Sequence, residues 1–421
     1  MLLFVGLPAI ARAQASIAGV VRDSSGAVLP GVTVEASSPA LIEKTRTAVT
    51  DDTGQYKVVD LRPGTYTVTF TLSGFNTVKR EGIELSGSFA ATVNADLAVG
   101  SLAETITVTT QAPIVDVQSA AKQRVLGQDV LAAIPTGRTP LTTAILIPGM
   151  NINNQDVGGT NIINTTGGSI TIHGSNANDQ RVMIDGLSTA NAELAGQASN
   201  FLPNMGATQE VAVDYSSGTA DQATGGVRIN MIPREGGNLF KGSLFATGVN
   251  DSFQGNNYTQ SLKDRGLRTP NSIKVNYDIN PGFGGPLMEN KLWFYGSARW
   301  VKTANYVGGM FYNKNAGIAD LWTYDPDLTR PAYVNATQRS VNLRLTWQAD
   351  QKNKFSFFFD DQGRCQCANV TATTSPEAAI EIKYPIQRMA TVAWTSPLTS
   401  RVLFEMRGGF RGENYKYNAT P

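Results

Sequence analysis

From Leu239 onward the chain repeats one pattern. Segments of about ten residues alternate apolar and polar positions, and turn residues separate them. The run Val341-Asn342-Leu343-Arg344-Leu345-Thr346-Trp347-Gln348 is the cleanest. A period of two puts every apolar side chain on one face of a strand. Successive segments of this kind therefore build antiparallel sheet. The same period is legible at 240–248, 274–284, 292–301, 354–360, 388–395 and 401–410. Short turns at 286–291, 351–353 and 396–400 alternate with long stretches at 253–271, 303–338 and 363–384, which are expected to be loops. Short and long connections in alternation, with aromatics near strand ends, match strands that cross a membrane, although a soluble sandwich also alternates.

No run of 18 apolar residues occurs, so no transmembrane helix is expected. Lys plus Arg number 35 against 34 Asp plus Glu, which gives no basic excess for a nucleic-acid partner. Residues 1–15 read as a secretory signal peptide that lacks a basic leading region: an apolar run, then Ala11-Arg12-Ala13 and Ala13-Gln14-Ala15, both of the form signal peptidase accepts. His173 is the only histidine, which argues against zinc sites built on two or three histidines. HExxH, GxSxG and phosphate-loop signatures do not occur. Cys365 and Cys367 are two apart; they can pair with each other or with outside thiols, and are taken as loop residues without a chemical role.

Residues 16–98 carry short strands separated by turn residues at intervals of about 8 to 12, the spacing of a small β-sandwich. Asp51, Asp52 and Asp60 fall near its turns and are expected to accept from turn backbone rather than bind calcium. The phrases GVVRDSSGAVLPGVTV and TDDTGQYKVVDLRPGTYTV resemble the carboxypeptidase regulatory-like domain, a non-catalytic module.

Farther on come Ile172-His173-Gly174, then Arg181-Val182-Met183-Ile184-Asp185-Gly186, then Gln209-Glu210-Val211, then Gly225-Gly226-Val227 running to Arg234-Glu235-Gly236. This order of strands and glycines resembles the plug domain of TonB-dependent outer-membrane transporters; His173, expected within a strand and just before a glycine, stands where that family usually has Arg. The resemblance implies a mainly β chain: a β-sandwich at 16–98, a linker at 99–116, an α+β plug at 117–237, and at 238–421 the first strands of an incomplete antiparallel transmembrane β-barrel. About seven barrel strands are legible against the 22 of plugged transporters, so the chain reads as an N-terminal fragment. Helical spacing at 120–133 fits a first plug helix, and 141–148 fits a second short helix or turn.

The resemblance also assigns sites. Glu104, Thr105, Ile106, Thr107, Val108, Thr109 and Thr110 look like a TonB box. β-branched residues bias such a segment to extended backbone that adds to a partner strand. The same residues also fit a last strand of the sandwich; the box reading is preferred because the segment lies just before the plug-like region. Asn151, Asn153, Asn154, Asn164, Asn191, Glu193 and Gln197 fall in positions of the apical plug loops that touch substrate in that family. Arg181, Asp185, Glu210, Arg228 and Arg234 fall on or beside plug strands, where the family pairs such charges with the barrel lumen. The implied activity is TonB-dependent uptake of an unidentified nutrient from an outer membrane, with the N-terminal domain in the periplasm. The implied partners are TonB, outer-membrane lipid and the nutrient; no catalytic residue, metal or cofactor is expected. The alternative is a surface-binding adhesin or scaffold without transport.

Overall fold

The computed structural model describes residues 15–41, 44–62, 64–85, 90–100, 105–109, 123–134, 138–143, 146–152, 170–189, 201–215, 225–350, 352–371, 373–399 and 402–419. The N-terminal strands are β1 (Ala15–Asp23), β2 (Thr33–Ser37), β3 (Thr45–Val49), β4 (Gln55–Leu61), β5 (Gly64–Thr71), β6 (Thr77–Leu85), β7 (Ala90–Thr92), β8 (Ala95–Leu97) and β9 (Thr105–Thr109). One sheet runs β4-β1-β7 with β8 also beside β1, and the other runs β3-β2-β5-β6-β9. Alternation along β5 turns Tyr66, Val68 and Phe70 inward, where they are fully buried. They share one core with Ile17 and Val21 of β1 and Tyr56 and Val58 of β4. The Tyr56 hydroxyl donates to the Val93 carbonyl at 2.7 Å, so its polar end is satisfied within that core.

The middle of the chain holds β10 (Gln123–Gly127), α1 (Gln128–Ala133), α2 (Pro140–Thr143), β11 (Met150–Ile152), β12 (Ile170–Ile172), β13 (Arg181–Ile184), β14 (Leu187–Ser188), β15 (Thr208–Asp214) and β16 (Arg228–Pro233). A five-stranded sheet runs β10-β15-β16-β13-β14, with β13 and β16 parallel, while β11 and β12 pair separately. Asp185 at φ 50° and Gly186 at φ 80° join β13 to β14. Two successive left-handed residues are what a two-residue hairpin with the strand twist requires, which explains the Asp-Gly dipeptide.

Two expectations fail here. Among the described residues of 120–133 only 128–133 are helical, because 123–127 pairs with β15 and buries Leu126. Tertiary pairing overrides a weak helical period. His173 is not within a strand: it follows β12 at φ 50°, in a turn with Gly174.

The third part comprises β17 (Lys241–Asn250), α3 (Gln260–Asp264), β18 (Ser272–Met288), β19 (Leu292–Asn313), β20 (Pro326–Gln348), β21 (Lys354–Ala368), β22 (Ile380–Pro397) and β23 (Leu403–Ala419). Each strand pairs antiparallel with the next in one seven-stranded sheet. The strands outrun the expected ten-residue segments: β19 has 22 residues and β20 has 23. Much of 303–338 and 363–384 is therefore hairpin rather than loop. Outside the region where one face is apolar, a ladder of backbone bonds leaves no alternation to read. Cys365 and Cys367 accordingly lie on β21, bonded to each other as a disulfide, and not in a loop.

Candidate functional site: the charged seam between three sheets

The seven-stranded sheet is inside out. On β20, Gln338, Ser340, Asn342, Arg344 and Thr346 are all buried, while Val341, Leu343 and Trp347 are 57%, 37% and 48% exposed. On β18, Asn276, Asp278 and Asn280 are buried while Tyr277, Ile279 and Phe283 are exposed. A water-soluble sheet buries the other face. Near the short turns the outer face carries a row of rings. Trp347 stacks on Phe355 at 5.4 Å, Phe355 on Trp394 at 5.7 Å, and Trp394 meets Phe404 edge-on at 4.8 Å. Aromatic girdles of this kind mark the edge of an apolar band in membrane-spanning sheets.

The polar inner face closes on the middle sheet. Asn204 Nδ2 donates to Ser297 Oγ at 3.0 Å, and Ser297 Oγ donates to Asn342 Oδ1 at 2.9 Å. The Leu202 backbone exchanges bonds with the Gln362 amide, at 3.1 and 2.9 Å. Arg234 donates to the Tyr295 hydroxyl at 3.1 Å. Apolar contact is narrower: Phe358 and Met389 of the long strands join the middle core.

Charges concentrate at one end of this seam. Arg344 pairs with Asp185, and at 3.2 Å with Glu235. Glu235 also pairs with Arg62 of the N-terminal module and lies 3.8 Å from Lys354. Lys354 reaches Asp60 at 3.2 Å, and Asp60 meets Arg46 at 2.7 Å. Arg407 donates to the Asp185 carbonyl at 3.1 Å. A cavity of about 40 Å³ sits among Asp185, Glu235, Arg344, Lys354 and Arg407, roomy enough for a water. Burial alone would raise the Glu235 carboxyl, but Lys354, Arg62 and Arg344 together hold it well below the carboxylate range. Gly236 follows because nothing larger fits: a Cβ there would stand 2.3 Å from the Phe294 carbonyl oxygen.

Of the charges expected on this face, Asp185 and Arg234 do meet the long strands. Arg181 instead bonds the carbonyls of Asn178 and Gln180, and Arg228 lies 3.9 Å from the Met183 sulfur. Asp60 is not a turn acceptor but an ion-pair partner across modules; Asp51 does accept from its own turn, from Thr53 and Gln55 backbone. Sequence reasoning missed Glu235, Arg344, Lys354 and Arg62. The signal for Arg344 was present: a charged residue on the polar face of a membrane-type strand seeks a partner inside.

Glu210 on β15 is buried, which pushes its carboxyl up to about 7, with Arg62 acting the other way. A carboxyl raised from its ordinary 4.5 keeps a proton in the folded state that the unfolded chain has released. Its contribution is full below pH 4.5 and falls away as pH rises to about 7. The loss amounts to at most about 3 kcal/mol. Glu210→Gln is expected to flatten urea stability between pH 5 and pH 8; an unchanged slope would contradict the assignment.

The box-like residues Thr105–Thr109 form β9, the outermost strand of the N-terminal sheet. They lie parallel to β6, with Thr77 opposite Thr105 and Glu81 opposite Thr109. Glu104 and Thr110 lie outside the described residues. Of the apical candidates, Asn151 is exposed on β11, opposite Thr171. Asn153, Asn154, Asn164, Asn191, Glu193 and Gln197 lie outside the described residues.

The family model of the carboxypeptidase regulatory-like domain matches residues 16–98, most of the two-sheet module. Over most of its length the chain is similar to a TonB-dependent transporter. Over 304 residues it is 27% identical to the TonB-dependent transporter Oar of Myxococcus xanthus, a match over 70% of this chain and 27% of that protein. Among solved structures, the outer-membrane transporter YddB of Escherichia coli superposes with TM-score 0.51 at 11% identity, over 70% of this chain and 39% of that one. At that identity the match establishes the fold: the chain is mainly β and resembles a TonB-dependent receptor barrel. The ferric yersiniabactin uptake receptor FyuA of Yersinia pestis gives TM-score 0.46 at 16% identity, over 70% of this chain and 41% of that one. The chain spans less than half the length of each of these relatives.

Proposed function

We propose that the chain acts in TonB-dependent uptake across an outer membrane. The regulatory-like sandwich lies on the periplasmic side, the middle sheet is the plug, and the long strands are part of the barrel wall. The observation that carries this reading is the inside-out sheet closing its polar face on the middle sheet. A plug held by hydrogen bonds and ion pairs, with few apolar contacts, can exchange those bonds for water when it moves. Substrate docks from the side of the long hairpins, and the wall and plug surfaces that meet it offer uncharged hydrogen-bonding groups such as Asn151. A TonB strand then pairs with 104–110 and pulls.

A specific observation favours a second reading of the box segment. β9 already has a partner, β6, and in this reading 105–109 is a structural edge strand instead. Two variants separate the readings. Ile106→Pro removes a backbone donor and should abolish binding of the purified periplasmic domain of TonB to the full chain in detergent. Unaltered binding would remove the box assignment. Lys79→Cys with Thr107→Cys places thiols on register partners of β6 and β9. If TonB needs the edge that β6 occupies, oxidation should lower its binding at least about tenfold, and reductant should restore it. Equal binding in both states would mean that TonB adds to the outer edge of β9.

A further inference from the structure

We propose that the N-terminal regulatory-like sandwich is a strap across the plug: through Arg62 and Asp60 it joins the ion cluster that ties plug to wall, so the plug end at Glu235 is held while the sandwich is seated. Three bodies meet there. The sandwich contributes Asp60 and Arg62, the plug Asp185 and Glu235, and the wall Arg344 and Lys354.

Two of these groups are shared between bodies. Glu235 of the plug is held at once by Arg62 of the sandwich and Arg344 of the wall. Lys354 of the wall stands 3.2 Å from Asp60 and 3.8 Å from Glu235. Neither contact is a loose surface pair. The side chains of Asp60, Lys354, Glu235 and Arg344 are 2%, 12%, 10% and 6% exposed. Exposed ion pairs contribute little; buried ones resist loss of a partner because the other charge is left without water.

The sandwich is built to present these groups. The Tyr66 ring is fully buried in the sandwich core, and its hydroxyl donates to the Arg62 carbonyl at 2.7 Å. Arg62 is thereby tied to a rigid body rather than to a free loop. Asp60 sits at φ 59°, a left-handed backbone uncommon for a residue other than glycine. Its carboxylate is held by Arg46 on its own side and by Lys354 across the seam. The sandwich therefore bridges plug and wall by two separate contacts. For Glu235 to leave the wall, either Arg62 must let go or the sandwich must come away from Lys354 as well. Glu235 lies between the last plug strand, β16, and the first wall strand, β17, so a hold there fixes the plug at its point of attachment.

The docking stands on the contacts alone; the restraint on plug movement rests on the uptake reading above. The test uses the full chain in nanodiscs, with nitroxides at Asp52→Cys on the sandwich and Lys352→Cys in a short wall turn. Cys365 and Cys367 are bonded to each other and take no label. Pulsed electron resonance should give one narrow distance distribution in the otherwise unchanged chain. Arg62→Ala should broaden it, and Arg62→Lys, which keeps the charge, should leave it narrow. Hydrogen exchange in β16 should rise about tenfold in Arg62→Ala, as loss of a charge-assisted bond brings. A distribution equally narrow in Arg62→Ala overturns the docking. A broadened distribution with unchanged β16 exchange overturns the strap. Binding of the TonB domain is measured in parallel on the same samples. Its absence from the unsubstituted chain would count against the uptake reading and leave the docking result intact.

Discussion

Replacing Arg344 with alanine is expected to loosen the middle sheet from the long strands by about 3–5 kcal/mol. Arg344 is 5% exposed and faces two carboxylates, Asp185 and Glu235. Without it, Asp185 keeps Arg407 only at its backbone carbonyl, and Glu235 keeps Arg62 and Lys354. Breaking one side of a buried pair is costly because the surviving charge stays out of water. The comparison is Lys314→Ala. Lys314 also pairs with a carboxylate, Asp325, but the pair lies in the connection between β19 and β20 and both side chains are 53% exposed. Solvent screens such a pair, and its loss should cost under about 1 kcal/mol. Urea midpoints of the full chain in detergent measure both. Equal small effects would mean that the charged seam does not hold the two sheets together.

The second large effect is on the outer face. Leu343→Arg is expected to cost about 2–4 kcal/mol in a lipid bilayer, as a cation near the middle of a membrane-spanning strand does. Leu343 points away from the middle sheet and is 37% exposed. On a water-facing sheet the same change would be neutral or would raise solubility, so its sign separates the two environments. Retention of the chain in the outer-membrane fraction, with unfolding in lipid vesicles, reads the result. Unchanged retention and stability would contradict a lipid-facing surface.

The long strands were legible because their chemistry is periodic. Val341 to Trp347 alternates by sequence alone, and the burial alternates in step. The strand ends were not legible, since beyond the apolar band no face needs to be apolar and 303–338 looks like loop. The Asp185-Gly186 turn was readable because its backbone demands those residue types. β10 was not: its short apolar run carries a helical spacing, and only pairing with β15 decides. The charged seam was half legible. Asp185 and Arg234 could be picked out as charges on plug-like strands, but Glu235 depends on partners more than a hundred residues away in both directions. Arg62 lies 173 residues before it and Arg344 109 after it. No local pattern encodes that meeting. The box segment shows the opposite limit. Thr-Ile-Thr-Val-Thr specifies an extended edge strand, and nothing in those residues says which neighbour it takes.

Everything above depends on which face of the seven-stranded sheet meets lipid. Single nitroxides placed at each position from 338 to 347 on β20, in the full chain in bilayers, report oxygen accessibility residue by residue. A period of two is expected, with maxima at odd positions such as 341, 343 and 347 and minima at 340, 342, 344 and 346. A flat profile, or one with its maxima at the even positions, would contradict it.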